Sequence, residues 1–584
     1  MLTGSASDRC KSDIKLRFIE ETELRNIIIV EAISTGYNLV EDARRRGYNP
    51  VVLETPGEVS DDLKNMYRDT YSLFYIRPEI IKASESYEET LAMVKQYDPL
   101  LVLAGSEQGV GLATQLAKDL GLLGNPIKNL DAMTKKDAMH EALKAAGIRY
   151  IKGMVVNNVD DAIRFCEKNG LKTAVVKPVQ SAGSQGLFLC DNLSEVKSAV
   201  ETILTYKDIY GRAIESALVQ ERIAGTEYIV NTLSCDGIHA LNSILRYAKV
   251  KTSEGGYIYD YCETINRLEP GHTALVEYAF KVAEAIGFRY GVIHGEYMID
   301  EKGPVLIEVN CRPMGCTMTD EYLDSIFGHH ESDAMLDAYL DPEGFMLKVK
   351  KPYRPLRKGA FKMIMIPQDM EAEDHPVWVV AKQLKSMYKI AVNDSTMPVA
   401  YRKTRDLESA GGVIFLVHDD ESVVMSDLEI LREIERKYFS FLLSDGMSRR
   451  WFADAHIPEP DFEAVITDCG CHGAILAAGD KEWKRNGIQT VTPQTLGQAN
   501  KGFDCVIIGY QLSLLGLKES DCLDLVFNTM DRVKPGGRVI IPQSAYEYLS
   551  YKSDGAELLM RIKGLEIQAP PADISGYVIG LKRG

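Results

Sequence analysis

Two glutamates on neighbouring apolar stretches constrain this chain more than any other feature. Glu296 lies in Gly291-Val-Ile-His-Gly-Glu-Tyr-Met-Ile-Asp300, Glu308 lies in Pro304-Val-Leu-Ile-Glu-Val-Asn-Cys-Arg312, and only Glu301-Lys302-Gly303 separates the two. A short loop ending in glycine suits a turn that needs a positive φ, so the pattern predicts a β-hairpin. Strand side chains alternate with period two, which puts His294, Glu296 and Met298 on one face and Leu306, Glu308, Asn310 and Arg312 on the facing one. With the loop centred on Lys302, Glu296 falls directly opposite Glu308 and His294 opposite Asn310. Like charges across a ladder destabilise it, and two confined carboxylates push one pKa up. Either Arg312 neutralises the acids as a structural ion network, or a divalent cation lies between them. Two carboxylates and an Asn carbonyl oxygen form a hard oxygen set that suits Mg²⁺, which keeps positions for waters and phosphates.

Three further elements precede the hairpin. Met133-Thr-Lys-Lys136 opens the helix-like run Asp137 to Ala146, closed by Gly147. Val175-Val-Lys-Pro178 reads as a short strand running into Ser181-Ala-Gly-Ser-Gln-Gly186. A loop of small residues can bring several backbone N–H groups close to phosphate oxygens while Lys177 supplies a point charge. The spacing Gly183 to Gly186 fits neither the P-loop nor the dinucleotide fingerprint, and by itself the loop reads equally well as a turn. Val219-Gln-Glu-Arg-Ile-Ala-Gly-Thr-Glu227 ends one strand and starts another, with acids bracketing a glycine turn.

In this order the pieces resemble the ATP-grasp superfamily of carboxylate–amine ligases, over roughly residues 24 to 445. Within it the chain looks most like the L-amino-acid ligase branch, which joins two unprotected amino acids into a dipeptide. That flavour is carried by Lys177 to Gly186, Gln220 to Asn231, Leu245-Arg-Tyr-Ala-Lys249 and Gly328-His-His-Glu-Ser-Asp-Ala-Met-Leu-Asp-Ala-Tyr-Leu-Asp-Pro342. The resemblance implies an ATP-binding core of two sheets and a set of roles. Lys136 and Lys177 would contact ATP phosphates, with Ser181, Ala182, Gly183, Ser184 and Gly186 closing over them. Gln220, Glu221 and Ile223 would line the adenine edge, and Glu227 would hold the ribose. Glu296, Glu308 and Asn310 would carry Mg²⁺, with Mn²⁺ as an alternative. Arg312 would steady the acyl-phosphate and the tetrahedral intermediate. His294 is a catalytic candidate toward substrate, or else a hydrogen-bonded sheet histidine.

The implied chemistry agrees with these residue types. A carboxylate is a poor electrophile, so it must become a mixed anhydride with phosphate before an amine attacks it, and stabilising the transferred phosphoryl group needs lysines, an arginine and a metal rather than a covalent nucleophile. The cysteines are accordingly left aside. Cys311 alternates away from Glu308, Asn310 and Arg312, and Cys316 follows a glycine just beyond them.

With 584 residues the chain should hold roughly three to four domains. Its net charge of −17 argues against nucleic-acid or anionic-membrane partners, which select for lysine and arginine. The basic run Lys348 to Lys358 reads as a solvated linker. No apolar run is long enough to span a bilayer, the N-terminus lacks an apolar signal core, and the cysteines follow no metal or disulfide spacing, so a cytoplasmic protein is expected; small amino-acid substrates are what the ligase resemblance implies.

The overall expectation is a multidomain α/β and α+β protein. After a loose segment over 1–23, residues 24–130 form an N-terminal parallel α/β domain, with a strand at Asn26–Glu31, a helix through Arg46, and strands at Pro50–Glu54 and Pro99–Gly105. Glu107, in the loop Ser106–Gly111, is a candidate for holding the carboxylate substrate. The ATP-grasp domain occupies 131–445. Residues 446–584 resemble the Rossmann-like core of S-adenosylmethionine-dependent methyltransferases, through a strand at Phe462–Asp468, a loop Cys469-Gly-Cys-His-Gly473 and strands at Phe503–Ile508 and after Gly537. The segment departs from that pattern: His472 stands where a loop glycine is usual, the strand Ile488–Thr492 ends without a ribose-holding acid, and the interval before Phe503 is short for a third strand. A degenerate domain is expected, burying apolar surface against the ligase core or in a homodimer. The alternatives are a bifunctional ligase and methyltransferase, a nucleotide-sensing pseudoenzyme, and a carnosine-synthase-like or carboxylase-like ligase.

Overall fold

The computed structural model describes residues 24–56, 78–179, 187–205, 214–251, 257–315, 318–366, 370–371, 377–392, 400–401, 403–404, 410–445, 473–479, 488–509, 519–542, 563–568 and 577–582. The expected phosphate loop, Ser181 to Gly186, lies outside them, as do Cys316, the expected strand Phe462–Asp468 and His472.

Near-continuous apolar runs build the first sheet. β1 (Asn26–Val30), β2 (Asn49–Glu54), β3 (Glu79–Lys82) and β4 (Leu101–Ala104) pair in parallel in the order β3-β2-β1-β4. Strands buried on both faces need helices on both sides. Helix Val110–Asp119 follows β4, and helix Asn38–Arg45 lies between β1 and β2 in the chain. The order reverses between β2 and β4 around β1, so the loops after β1 and β4 flank the kind of crevice where open α/β sheets bind ligands. Those loops touch: a Cβ on Gly36 would stand 1.9 Å from the Gly105 carbonyl oxygen.

Two antiparallel sheets follow. The smaller one, in the order β5-β8-β6-β7, comprises β5 (Gly153–Val156), β6 (Ala174–Pro178), β7 (Phe188–Cys190) and β8 (Ala217–Glu221). Helices Val159–Asn169 and Leu193–Ile203 cover it, and each is started by an asparagine, Asn158 or Asn192, whose side chain accepts an N–H of the first turn. The larger sheet has eight strands in the order β13-β12-β9-β10-β11-β14-β18-β16. They are β9 (Thr226–Cys235), β10 (Ile238–Lys251), β11 (Tyr257–Thr264), β12 (Gly291–Asp300), β13 (Gly303–Asn310), β14 (Lys358–Met363), β16 (Met387–Val392) and β18 (Gly412–His418). β15 (Met370–Glu371) and β17 (Ala400–Tyr401) form a separate two-stranded ladder. One apolar cluster runs from Ile28, Val30 and Leu53 of the first sheet through Leu275, Val282 and Ile286 to Tyr297, Leu306 and Val309, so the first sheet and the hairpin share a core.

The hairpin differs from its expected form in an instructive way. Its turn has two residues, Glu301 and Lys302, closed by the pair Asp300 and Gly303, with Gly303 at φ +96°. Taken alone, that register would misalign the acids by one residue. A bulge between Leu306 and Glu308 inserts Ile307 and restores Glu296 opposite Glu308 and His294 opposite Asn310. The extra residue also turns Leu306 to the other face, where it joins Tyr297, Val309 and Cys311 in the core instead of sharing the face of Glu308.

The last sheet has the order β20-β19-β21-β22-β24-β23. β19 (Ile475–Gly479), β20 (Ile488–Val491), β21 (Phe503–Gly509) and β22 (Val533–Pro542) are parallel, and the antiparallel pair β23 (Leu565–Gln568) and β24 (Tyr577–Lys582) closes one edge. Of the glycine-rich stretch only Gly473 lies within the described residues, shortly before the inner strand β19. Residues 492–502 contain no strand, as their length implied. This sheet packs on what precedes it: Ala360, Ile414, Leu428 and Ile434 share a cluster with Leu476, Phe503, Val526 and Phe527.

Candidate functional site

The site grows from the hairpin. Lys136, first residue of helix Lys136–Ala145, places Nζ 3.1 Å from Glu308 Oε2, and Lys177, near the end of β6, places its own 4.0 Å from the same oxygen. One acid thus gathers a cation from a helix start and another from the smaller sheet. Burial weakens both charges, with opposite net results. Lys177 is pulled down to about 8 despite Glu308, whereas Glu308 and Glu107 together hold Lys136 above the ordinary lysine value. Burial pushes the facing Glu296 upward, but its surroundings, Lys249 and Lys136 among them, outweigh it and keep the carboxyl well below the usual range.

Lys249 went unassigned in the sequence. Its Nζ is 2.7 Å from Glu227 Oε1 and sits over the rings of Tyr259 and Tyr247, at 4.5 and 5.5 Å from their centroids. Both partners are partly buried; desolvation raises the Glu227 carboxyl against the pull of Lys249, and Glu227 raises Lys249 against its own desolvation. The available signal was a lysine at the end of a stretch already matched to the ligases. Gln220 is buried at the end of β8 with Nε2 lacking a hydrogen-bond partner, so it retains a donor for a ligand, while the Glu221 N–H is already used by the Lys152 carbonyl. Ile223 lies in the partly buried β8–β9 loop.

A second group of residues converges from the first sheet. Glu107 Oε2 is 3.6 Å from Arg312 Nη2, and the Asn310 amide nitrogen donates to Glu107 Oε1 at 3.1 Å, the orientation in which its carbonyl oxygen does not face the carboxylate. Arg312 also donates to the Pro313 carbonyl at 2.9 Å. Burial raises the Glu107 carboxyl against Arg312. The buried Ser106 hydroxyl beside it has no partner. Glu107, Glu227, Glu296 and Glu308 therefore face Lys136, Lys177, Lys249 and Arg312, four acids against four cations. Such a cleft is balanced when free and can accept a polyanion together with a divalent cation.

His294 is buried and neutral by tendency, since desolvation lowers its pKa. Its Nδ1 meets Asn231 Oδ1 at 2.9 Å, and its Nε2 stands 3.5 Å from Glu296 Oε1. Gly295 beside it leaves room for the Tyr297 ring, whose hydroxyl would be 2.5 Å from an added Cβ. Cys311 is buried in the apolar cluster on the opposite face.

A further group, Asp42, Asp320 and His330, has ligand-type atoms within 4.8 Å of one another. Arg45 reaches Asp320 at 2.6 Å, Ser332 donates to Asp42 at 2.6 Å, and His330 bridges Asp42 and Asp324 at 3.1 and 2.8 Å. Those cations and donors make it an ion network tying helix Asn38–Arg45 to helix Glu331–Leu340.

Residues 172–321 match the model of the ATP-grasp domain. The chain is 27% identical over 425 residues to dapdiamide A synthase of Enterobacter agglomerans, covering 72% of this chain and 98% of that one. The fold resembles the L-amino acid ligase of Bacillus licheniformis, with TM-score 0.54, 17% identity and coverage of 70% and 97%. It also resembles the N5-carboxyaminoimidazole synthase of Aspergillus clavatus in complex with ADP and its ribonucleotide, with TM-score 0.51, 16% identity and coverage of 71% and 99%. The matched model and the 27% identical relative support an ATP-grasp ligase, and the two solved structures show the likeness of fold. Among the described residues no helix is long and apolar enough to cross a membrane.

Proposed function

We propose that the chain forms a peptide or amide bond from an amino-acid carboxylate through an acyl-phosphate. The observation that carries this reading is the convergence of Lys136 and Lys177 on Glu308, directly across the ladder from Glu296. Two lysines beside two facing acids suit a triphosphate and its divalent metal. Glu296, Glu308 and the carbonyl of Asn310 would hold that metal, which lends Lewis-acid charge to the phosphates.

In the first step a carboxylate oxygen of the substrate bonds to the γ-phosphorus of ATP and the bond to the β-phosphate oxygen breaks, releasing ADP. Lys136 and Lys177 neutralise the charge on the transferred group. In the second, the nitrogen of a deprotonated amine bonds to the acyl carbon. Arg312 holds the tetrahedral oxygen, and phosphate leaves with the C–O bond electrons. Glu107, beside Arg312 in the crevice of the first sheet, can hold the ammonium of a substrate amino acid while Arg312 faces its carboxylate. Gln220, Glu221 and Ile223 would line the adenine and Glu227 the ribose. Release of phosphate from ATP with amino acids supplied singly and in pairs, followed by mass spectrometry of the condensed product, tests this reading. Phosphate release that no amino acid stimulates overturns it.

We further infer that residues from about 446 onward are a methyltransferase-like domain without its own chemistry. The missing strand between β20 and β21 and the apolar surface shared with Ile414 and Ile434 support a structural role.

A further inference from the structure

His294 is held by a chain of buried groups that leaves its second nitrogen in one electronic state. Asn231 stands directly across the ladder from it, on β9, and is 0% exposed. The Asn231 amide nitrogen donates to Ser243 Oγ at 2.9 Å and lies 3.7 Å from Met314 Sδ. A thioether sulfur only accepts, so the amide nitrogen must face Met314 and the amide oxygen must face His294. Nδ1 therefore carries the hydrogen it gives to Asn231, and Nε2 presents a lone pair. That lone pair faces Glu296 Oε1 at 3.5 Å. Two acceptors in a buried site repel unless something positive lies between them.

We propose that His294 Nε2 is a nitrogen ligand to the divalent cation of this site, beside Glu296 and Glu308, with Asn231 as the positioning residue that sets its tautomer. The inference rests on the reading of the hairpin as a metal–nucleotide site. His294, Glu296, Glu308 and Asn310 occupy four adjacent positions on one face of the hairpin, as two directly opposed pairs. A nitrogen–oxygen separation of 3.5 Å suits two adjacent ligands on one ion. Metal-bound histidines typically donate their other N–H to a fixed acceptor, the part Asn231 plays. One imidazole among oxygens also shifts preference from Mg²⁺ toward Mn²⁺ and softer ions.

Pulsed electron paramagnetic resonance of Mn²⁺ bound with ADP to the full chain provides the test. The spectrum should show coupling to a nitrogen that changes isotope when only histidine is labelled with ¹⁵N, and that coupling should vanish in His294→Gln. Because the labelled wild-type protein carries the first readout, it does not depend on the variant folding. Asn231→Leu should weaken Mn²⁺ binding about tenfold, while Asn231→Asp, which keeps an acceptor for Nδ1–H, should retain the coupling. Bound Mn²⁺ without a histidine coupling overturns the proposal and leaves the metal–nucleotide reading standing. Absence of Mn²⁺ binding in the presence of ADP overturns both. Equal Mn²⁺ affinity in the two Asn231 variants overturns the positioning role.

Discussion

Lys136 and Glu308 are joined across the cleft at 3.1 Å, so the cation suited to a triphosphate and the acid suited to its metal neutralise one another before either ligand is bound. Glu308→Gln should separate the two roles. Turnover is expected to fall at least ~100-fold through loss of metal charge, while metal-free ADP, now meeting a lysine released from its acid, binds no more weakly than before. Turnover assays beside calorimetry with and without Mg²⁺ measure both. Near-native rates in Glu308→Gln and Glu296→Gln would show that the facing acids are only an ion network.

The nucleotide product discriminates between mechanisms. ADP and inorganic phosphate should appear in equal amounts, one of each per amide bond, and hydroxylamine should trap the acyl-phosphate as a hydroxamate. Chromatography of the spent nucleotide is sufficient. AMP and pyrophosphate would mean adenylation and contradict the acyl-phosphate route.

Arg312 keeps its charge but loses its fork in Arg312→Lys. Its neighbours are Glu107 and the Pro313 carbonyl, and the proposed mechanism gives it a part in the carboxylate and tetrahedral steps. Turnover should drop roughly 10- to 1000-fold, with ADP affinity within about threefold of wild type. A large loss of nucleotide binding with normal turnover at saturation would contradict that placement.

His330 should make the packing of the first sheet pH-dependent. Burial opposes its charge, but Asp42 and Asp324 hold its pKa up at about 9. A histidine raised on folding contributes stability that is fully present below its unfolded pKa of about 6.5 and is lost as pH rises through the folded value. Arg45, Asp320 and Ser332 complete the surroundings of these groups. Stability, and with it the melting temperature, should therefore fall between about pH 6.5 and pH 9, by at most ~3–4 kcal/mol, and His330→Gln should flatten that slope. An equal slope in both proteins would remove the network from the account.

The last sheet should act through burial. Removing 446–584 uncovers Ile414, Leu428 and Ile434, and the shortened chain is expected to melt several degrees lower or to aggregate. Calorimetric titration of the full chain with S-adenosylmethionine or S-adenosylhomocysteine should show no micromolar binding; such binding would promote the bifunctional enzyme.

Local pattern determined much of this protein. Apolar runs located β1, β2, β4, β6 and the hairpin, because burial on one or both faces leaves a period that survives in a linear sequence. Lysine before a helix, lysine ending a strand and acids on a hairpin were equally legible, since each depends on its immediate neighbours. Tertiary structure decided what depends on distant partners. No local signal marked Ile307 as the bulge that realigns Glu296 with Glu308 and turns Leu306 into the core, because strand register is settled by what each face packs against. Lys249 gained its place only when β10 laid it beside Glu227. Asn231, 63 residues before His294, could fix that imidazole only after β9 and β12 paired, for a hydrogen bond between buried side chains is a property of the folded sheet and not of either strand.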